Sequence, residues 1–309
     1  MALHEPVLTQ EVLTFLEPQR GGLFVDCTLG AGGHSLALLE AGATRLIGLD
    51  RDPAALTIAA ETLKAFRDRA ELVHADFRQL DAVLDARGIG AINGALADLG
   101  VSSMQLAEPG RGFSFQRDEL LDMRMDTTAS RTAANLIRDV SEAELADVIR
   151  QYGEERHARR IAHAVIRARE RTPIRSTSQL AELIRRANPR RGRRPRRGSP
   201  AGNARRWSRI DPATRTFQAL RIWVNQELEG LDEFLARLLR RLAAGARAAV
   251  IAFHSLEDRI VKHTFRALEA ATDIEVRVLT RRPVVPTDDE IARNPRARSA
   301  KLRAIERLA

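Results

Sequence analysis

Short apolar runs alternate with amphipathic segments along the first third of the chain. Residues 23–26, 45–49, 71–75 and 91–97 have the length and continuous apolar character of strands buried in a sheet. Between them, residues 34–41, 53–66 and 77–86 repeat apolar side chains at helical spacing. This β-α-β-α-β-α-β order predicts a parallel sheet with helices on both faces.

The pattern changes after the fourth run. Residues 99–126 are rich in Gly, Ser, Asp and Arg and are predicted as loop, whereas residues 129–187 have helical periodicity. Further helices are predicted at 214–242, with a break at Gly230, and at 256–269, and strands at 247–253, 274–279 and within 299–307. We therefore predict an α/β sheet with an all-helical domain inserted after its fourth strand. The core is placed at 1–112 and 213–309, and the insertion at 113–212.

Composition narrows the class of protein. The hydrophobic fraction of 44% over 309 residues is enough for a substantial core. No run approaches eighteen apolar residues, and the first residues lack the basic and apolar regions of a secretory signal. The single cysteine, Cys27, excludes a disulfide within the chain and a multi-cysteine metal site. We expect a cytoplasmic protein with no membrane segment and no metal.

The positive charge is concentrated in one segment. Residues 185–209 contain eleven arginines and no acids, and removing them from the net charge of +9 leaves −2 for the rest. Such a segment is typical of contact with a polyanion, although a solvated loop in a protein that uses arginine as its general basic residue remains an alternative. The candidate RNA contacts are Arg190, Arg191, Arg193, Arg194, Arg196, Arg197 and Trp207, with Lys301, Arg298 and Arg303 as secondary candidates.

Four predicted strands end in acidic residues, Asp26, Asp50, Asp76 and Asp98, and a glycine loop at 30–34 follows the first strand. In a parallel sheet these ends meet at one edge, where ligands bind. Asp50 can accept hydrogen bonds from a ribose, and Phe77 can pack on an adenine ring. The combination predicts a cofactor that contains adenosine.

A nicotinamide dinucleotide is the first competitor for this site. The loop Gly30-Ala31-Gly32-Gly33-His34 lacks the third glycine of a dinucleotide fingerprint, because Leu36 stands there. Asp26 is poorly suited to a phosphate neighbour but suits a cofactor with a cationic end, such as S-adenosylmethionine. The alternative for Asp26 is a carboxylate that only orders the loop.

Motifs along nearly the whole chain resemble the MraW family of bacterial small-subunit ribosomal RNA methyltransferases. They comprise residues 4–8 (HEPVL), 26–35 (DCTLGAGGHS), 48–53 (GLDRDP), 98–103 (DLGVSS), 111–115 (RGFSF), 122–126 (DMRMD), 152–155 (YGEE), 212–222 (PATRTFQALRI), 253–259 (FHSLEDR) and 298–303 (RSAKLR). The sequence departs from the family pattern at Met104, Ala107 and Asp211, where proline, aspartate and histidine are usual.

The resemblance implies a class I, Rossmann-like methyltransferase with a helical substrate-recognition insertion. It implies methyl transfer from S-adenosylmethionine to the exocyclic N4 of one cytidine at the decoding centre of 16S rRNA. The small ribosomal subunit would be the partner, and a homodimer is compatible with the sequence. By matching positions, the implied cofactor contacts are Gly32, Gly33, His34, Asp50, Phe77, Asp98 and Gln105.

Two residues are candidates for the catalytic chemistry. Asp98 ends the fourth strand, where it can accept a hydrogen bond from the amine or bind only the cofactor; the Pro-Pro-aromatic sequence that follows in many amino-methyltransferases is absent. His254 ends the fifth strand and can face the substrate, while Ser255 and Asp258 are predicted to form a helix capping box. Cys27 lies within the cofactor loop and is predicted as a small buried residue, which disfavours attack on cytosine C5.

Three other functions stay open at this point. They are a methyltransferase of the same core that acts on a protein or a small molecule, an RNA-binding assembly factor without catalysis, and a dehydrogenase.

Overall fold

The computed structural model describes residues 6–188 and 211–309. Contacts divide the described residues into two compact units. The first comprises the described parts of Met1–Met104, Met125–Thr127 and Leu228–Ala309, and the second those of Gln105–Arg124 and Thr128–Glu227. The chain thus leaves the first unit shortly after its fourth strand, where the insertion was predicted.

Seven strands form a single sheet in the first unit: β1 (Leu23–Asp26), β2 (Arg45–Asp50), β3 (Ala70–His74), β4 (Ile92–Asp98), β5 (Leu242–Ala252), β6 (Val276–Val278) and β7 (Lys301–Arg307). Their order is β3-β2-β1-β4-β5-β7-β6. Strands β1 to β5 are parallel, and β7 is antiparallel to its neighbours β5 and β6. The order 3-2-1-4-5 is that of a doubly wound sheet whose switch point lies between β1 and β4. This confirms the predicted Rossmann-like class.

The helices of the described chain are α1 (Thr9–Leu16), α2 (Gly33–Glu40), α3 (Pro53–Thr62), α4 (Leu80–Asp85), α5 (Ser103–Ala107), α6 (Ala133–Asp139), α7 (Glu142–Gly153), α8 (Ala158–Arg169), α9 (Thr177–Ala187), α10 (Ala213–Asn225), α11 (Leu231–Arg241), α12 (Ser255–Ala270) and α13 (Asp288–Arg293). One buried cluster packs α4, α11 and α12 on the sheet, and another packs α1, α2 and α3. Neighbouring strand residues alternate between them: Val25 belongs to the first cluster and Phe24 to the second. The sheet therefore has helices on both faces.

Helices α6 to α10 form the body of the second unit. Helix α10 lies close to α7: a Cβ on Gly153 would stand 2.6 Å from the carbonyl oxygen of Arg215, and Gln218 Nε2 donates to the Tyr152 carbonyl at 3.1 Å. Residues 213–227, which the sequence assigns to the core, therefore belong to the helical unit, and this corrects the predicted boundary.

The other boundary also differs from the prediction. Residues 105–112 belong to the helical unit, where Met123 N donates to the Arg111 carbonyl at 2.9 Å and Arg111 donates to the Arg124 carbonyl at 3.2 Å. Residues 105–112 have no periodic pattern of apolar side chains, so these contacts could not be predicted from the sequence. Within residues 6–188 and 211–309, no helix is both long and apolar enough to cross a membrane.

Candidate active site

The glycine loop is tied to the end of the neighbouring strand. Gly30 N donates to Asp50 Oδ2 at 2.7 Å, and Asp52 N donates to Asp50 Oδ1 at 2.8 Å. Gly30 and Gly32 have φ angles of +54° and +82°, which L side chains adopt only with strain. The carboxylate of Asp50 thus holds the loop and retains unused acceptor capacity on both oxygens.

Asp26 orders the loop from within. Its oxygens accept hydrogen bonds from Ser35 Oγ at 2.7 Å and from Thr28 N at 3.1 Å, and the residue is only 1% exposed. Burial raises the pKa of Asp26 to about 6, in spite of these two hydrogen bonds. Of the two roles that the sequence left open, this geometry favours the ordering of the loop over direct contact with a ligand.

His34 lies at the start of α2 with an unusual lack of partners. A Cβ on the preceding Gly33 would stand 2.8 Å from Pro6 Cγ, so this glycine allows the loop to pack against the N-terminal segment. The ring of His34 is 6% exposed, and neither nitrogen has a hydrogen-bond partner among the described residues. Burial lowers the pKa of His34 to about 4, so the ring is neutral near pH 7.

Asp98 faces His34 across the switch point. Its Oδ2 lies 3.8 Å from His34 Nε2, and within the described chain its Oδ1 has no hydrogen-bond partner. Its amide donates to Thr28 Oγ1 at 2.6 Å, which fixes the strand end against the loop. Burial first, and then the carboxylates of Asp26 and Glu257, raise the pKa of Asp98 well above its ordinary value. About a quarter of the side chain is exposed.

Phe77 follows β3 and packs in the core below the sheet edge. Its ring centroid lies 4.6 Å from that of Phe234, and 9% of the residue is exposed. The guanidinium of Arg78 lies 5.5 Å from the Phe77 centroid and pairs with both oxygens of Asp76 at 2.7 and 2.8 Å. Asp76 is therefore engaged by an arginine, and Phe77 offers a ligand only the exposed part of its ring.

His254 caps α12, which corrects the predicted cap at Ser255. His254 Nδ1 accepts from Glu257 N at 3.3 Å, and Glu257 Oε2 accepts from His254 N at 3.3 Å. An accepting Nδ1 carries no proton, so the ring holds one on Nε2, which lies 3.2 Å from Glu257 Oε1 but has no hydrogen-bond partner among the described residues. The helix cap is therefore one residue earlier than predicted, because a ring nitrogen of His254 accepts the hydrogen bond that was expected at the Ser255 hydroxyl.

Asp258 was the other member of the predicted capping box, and it has a different role. It pairs with Arg303 Nε at 2.7 Å and with Lys301 Nζ at 3.3 Å. Arg303 is 5% exposed, whereas the Lys301 side chain is 38% exposed. The structure thus removes Arg303 from the candidate RNA contacts, and contact of Lys301 with RNA stays a prediction.

The remaining predicted residues belong to the second unit or lie outside the described residues. Gln105 belongs to the second unit, where it is 6% exposed on α5. In the same unit, Arg124 of the motif at residues 122–126 pairs with both oxygens of Asp122 at 2.8 and 2.7 Å, which orders this loop. The predicted contacts Arg190, Arg191, Arg193, Arg194, Arg196, Arg197 and Trp207 lie outside the described residues.

Sequence reasoning did not identify three residues that shape the site: Thr28, Ser35 and Glu257. Thr28 Oγ1 accepts from Asp98 N, Ser35 Oγ donates to Asp26, and Glu257, which is 1% exposed, lies in the first turn of α12. A hydroxyl two residues after a strand-end aspartate is a usable signal for Thr28. No local pattern predicts the bond from Ser35, because it depends on how α2 packs on the sheet.

Comparisons with known proteins identify the family of this chain. A curated "Ribosomal RNA small subunit methyltransferase H" from Pelobacter propionicus is 47% identical, with 99% of this chain and 98% of the relative covered. One of that name from Anaeromyxobacter dehalogenans is 50% identical over the same shares. A solved rRNA methylase from Streptococcus thermophilus covers the full length of both chains at 10% identity and a TM-score of 0.42. The profile of the MraW methylase family matches residues 1–308, and the chain belongs to that family.

Proposed function

We propose that this protein transfers a methyl group from S-adenosylmethionine to the exocyclic N4 of one cytidine at the decoding centre of 16S rRNA. Membership of a methylase family and relatives named as small-subunit rRNA methyltransferases support the reaction class and the RNA. The observation that carries the proposal is the Asp98 carboxyl group, which ends β4 beside the glycine loop with an unbonded oxygen.

The residues at the sheet edge fit S-adenosylmethionine. The first amides of α2 have no partner within the helix, Asp50 keeps acceptor capacity for a ribose, and both nitrogens of His34 are unbonded in the described structure. We assign the cofactor to Gly32, Gly33, His34, Asp50 and the exposed edge of Phe77, with Asp98 and Gln105 as further contacts. When bound, the cofactor supplies an electrophilic methyl group on a sulfonium centre.

The amine at cytosine N4 is a weak nucleophile, because its lone pair is delocalised into the ring. Asp98 accepts a hydrogen bond from the N–H group of this amine, and this bond stabilises the positive charge that develops on nitrogen. Only an ionised carboxylate does this well, so the raised pKa of Asp98 makes its protonation state part of the control of the rate. Neutral His34, 3.8 Å away, adds a polar contact without a competing positive charge.

His254 presents a different polar group at the end of β5. Because its Nδ1 accepts the cap hydrogen bond, the proton on Nε2 makes the ring a donor. A donor suits the carbonyl oxygen or ring N3 of cytosine, and we assign His254 to orientation of the base. Orientation of two reactants supplies a large share of the acceleration in such transfers.

RNA is held by arginine contacts to phosphates. We assign this role to Arg190, Arg191, Arg193, Arg194, Arg196 and Arg197, with Trp207 as a stacking surface and Lys301 as a further contact. The small ribosomal subunit of the cytoplasm is the substrate particle in this proposal.

The decisive experiment is methyl transfer from radiolabelled S-adenosylmethionine to small subunits from a strain that lacks this protein. The expected product is N4-methylated cytidine in 16S rRNA, identified after digestion to nucleosides. Deproteinised rRNA, ribosomal protein fractions and the Asp98→Asn enzyme are assayed in parallel. Label in protein, or at cytosine C5, would contradict the proposal.

A further inference from the structure

Helix α8 of the helical unit carries a dense positive charge that composition did not separate from the rest of the chain. Residues 156–171 contain six arginines, namely Arg156, Arg159, Arg160, Arg167, Arg169 and Arg171, and a single acid, Glu170. Outside residues 185–209 the net charge is −2, so the rest of the chain is nearly neutral as a whole. Residues 156–171 are nevertheless a second segment with a local excess of positive charge.

The charges lie on the face opposite the buried one. Helix α8 buries Ala158, Ile161, Ala162, Val165 and Ile166. Arg160 and Arg167 lie seven residues, or about two turns, apart on the exposed face of α8, which places them about 10 Å apart along the helix axis. Arg156 and Arg171 lie two residues beyond either end of the helix, and both are exposed.

Three arginines near the start of α8 are not neutralised. In the part of the chain that the structure describes, Arg156, Arg159 and Arg160 form no ion pair, and all three side chains are exposed. They line an open depression of about 650 Å³, together with Arg150 and His157. The first turn of α8 contains no acid, so the positive end of the helix dipole adds to the same field.

The acids around the depression are mostly engaged. Asp147 accepts from Arg150 Nη2 at 2.7 Å, and the buried Glu155 accepts from His157 N at 2.8 Å. By contrast, Arg169 points inward and donates to the carbonyls of Ile137 and Val140, so it is a structural residue. The exposed arginines on the same helix have no such structural role in the contacts of the described residues.

We propose that Arg156, Arg159 and Arg160, continued by Arg167 and Arg171, form a binding surface for the phosphate backbone of RNA. Guanidinium groups suit phosphates, which they contact with two parallel hydrogen bonds. The first three are unpaired within the described residues, and Arg167 has only an exposed ion pair with Glu170 at 3.9 Å. This α8 surface is distinct from the segment 185–209 and from the strand-end site. The inference rests on the proposed function, since it assigns a further contact to the same RNA substrate.

The test measures how the affinity for deproteinised 16S rRNA depends on salt. The variant is the triple substitution Arg156→Gln, Arg159→Gln and Arg160→Gln. Each phosphate contact on single-stranded nucleic acid contributes about 0.7 to the slope of log K against log salt, so the slope should fall by about 2. Affinity near 100 mM salt should fall about tenfold or more, while the affinity for S-adenosylmethionine stays unchanged.

Two further variants make the result specific. The triple Arg45→Gln, Arg67→Gln and Arg266→Gln removes the same charge from exposed positions of the first unit, and its slope should stay near that of the wild type. The conversion of Arg156, Arg159 and Arg160 to lysine keeps the charge and should keep most of the slope. Thermal melting shows whether each variant is folded. If the α8 triple variant melts at a lower temperature than the wild type, the single variant Arg159→Gln is measured in its place, with an expected change in slope of about 0.7.

The outcomes separate this inference from the proposed function. Equal slopes for the α8 triple and the control triple would overturn the α8 surface. A loss of affinity for assembled subunits without a loss for deproteinised rRNA would assign the surface to a protein partner, which also overturns it. If the wild type binds RNA but transfers no methyl group to it, the proposed function fails, and the comparison of slopes still decides the surface.

Discussion

Nε2 of His34 lies 3.8 Å from Oδ2 of Asp98, and neither side chain has a hydrogen-bond partner within the described chain. Buried polar atoms in native proteins nearly always have partners, and exceptions need an explanation. A ligand that bonds to both residues explains the exception. In the proposed reaction, this pair would connect the cofactor with the amine that accepts the methyl group.

Substitution of Asp98 should lower the rate of methyl transfer. Asp98→Asn keeps the shape but removes the negative charge, so we expect the single-turnover rate to fall roughly 100-fold or more. The wild-type rate should rise with pH through the elevated pKa of Asp98, because the ionised form is the acceptor, and the variant should lose this dependence. The exposed Asp68→Asn is the matched control. An Asp98→Asn enzyme with unchanged cofactor affinity and turnover would refute the assignment.

Substitution of His34 should separate stability from binding. His34→Leu removes two unsatisfied polar atoms, so the free energy of unfolding without ligand should stay unchanged or rise by about 1–2 kcal/mol. Affinity for S-adenosylmethionine should fall about tenfold, since one hydrogen bond is lost from the bound state. Denaturant titration and calorimetry measure the two effects, with the exposed His163→Leu as control. A less stable variant with normal affinity would show that the ring is only a packing element.

Much of the fold could be predicted from the sequence, because strands buried on both faces leave continuous apolar runs such as β2 and β4. The short helices α1, α5 and α13 were not predicted. Helix α1 is bounded by Leu8 and Glu17 in the left-handed region, so no glycine or serine in the sequence marks its ends. Helices α5 and α13, of five and six residues, are too short for a periodic signal.

The site was less predictable than the fold. The strand-end rule indicated Asp26, Asp50 and Asp98 together, because parallel strands bring their carboxyl ends to one edge. Their individual roles depend on short contacts: Ser35 and Thr28 engage Asp26, whereas Asp98 keeps an unbonded oxygen. The capping role of His254 likewise requires the ring orientation, which a sequence does not contain.

Substitution of Asp26 should change how stability depends on pH. Its pKa is about 6 in the folded protein against an ordinary 3.8, so the folded state binds the proton more tightly. The stability that this group contributes is present below pH 3.8 and is lost as the pH rises to about 6, a loss of roughly 3 kcal/mol.

Asp26→Asn removes this charge, and its Oδ1 can still accept from Thr28 N while its Nδ2 donates to Ser35 Oγ. The variant should therefore be more stable than the wild type at pH 8 and similar to it near pH 4. Denaturant unfolding without cofactor from pH 4 to pH 8 measures the difference, and the surface variant Asp68→Asn should show little of it. A difference of the same size at every pH would mean that the carboxyl group is not the cause.

Shortening of the arginine-rich segment should weaken RNA binding. Removal of residues 191–205 deletes six arginines. Because the number of phosphates that a protein neutralises sets the salt dependence of its affinity, the slope of log K against log salt should become less steep. A linker of equal length made of Gly and Ser is the control for chain length. Binding to 16S rRNA with an unaltered slope would assign this segment to a solvated loop, the alternative that the sequence left open.

Close packing of α7 on α10 should make Gly153 a sensitive position of the helical unit. A Cβ there would stand 2.6 Å from the Arg215 carbonyl oxygen, which is backbone, so the two helices must separate. We expect Gly153→Ala to cost about 1–3 kcal/mol, which exceeds the gain in helix propensity. Hydrogen exchange should quicken at amides of α7 and α10, while the first unit keeps its protection and its affinity for S-adenosylmethionine. The control Gly90→Ala adds a methyl group with no atom within 4 Å and should change neither. If Gly153→Ala lowered the affinity for S-adenosylmethionine as well as the exchange protection of α7, the two units would unfold as one cooperative body. The helical unit could then not vary independently of the methyltransferase core.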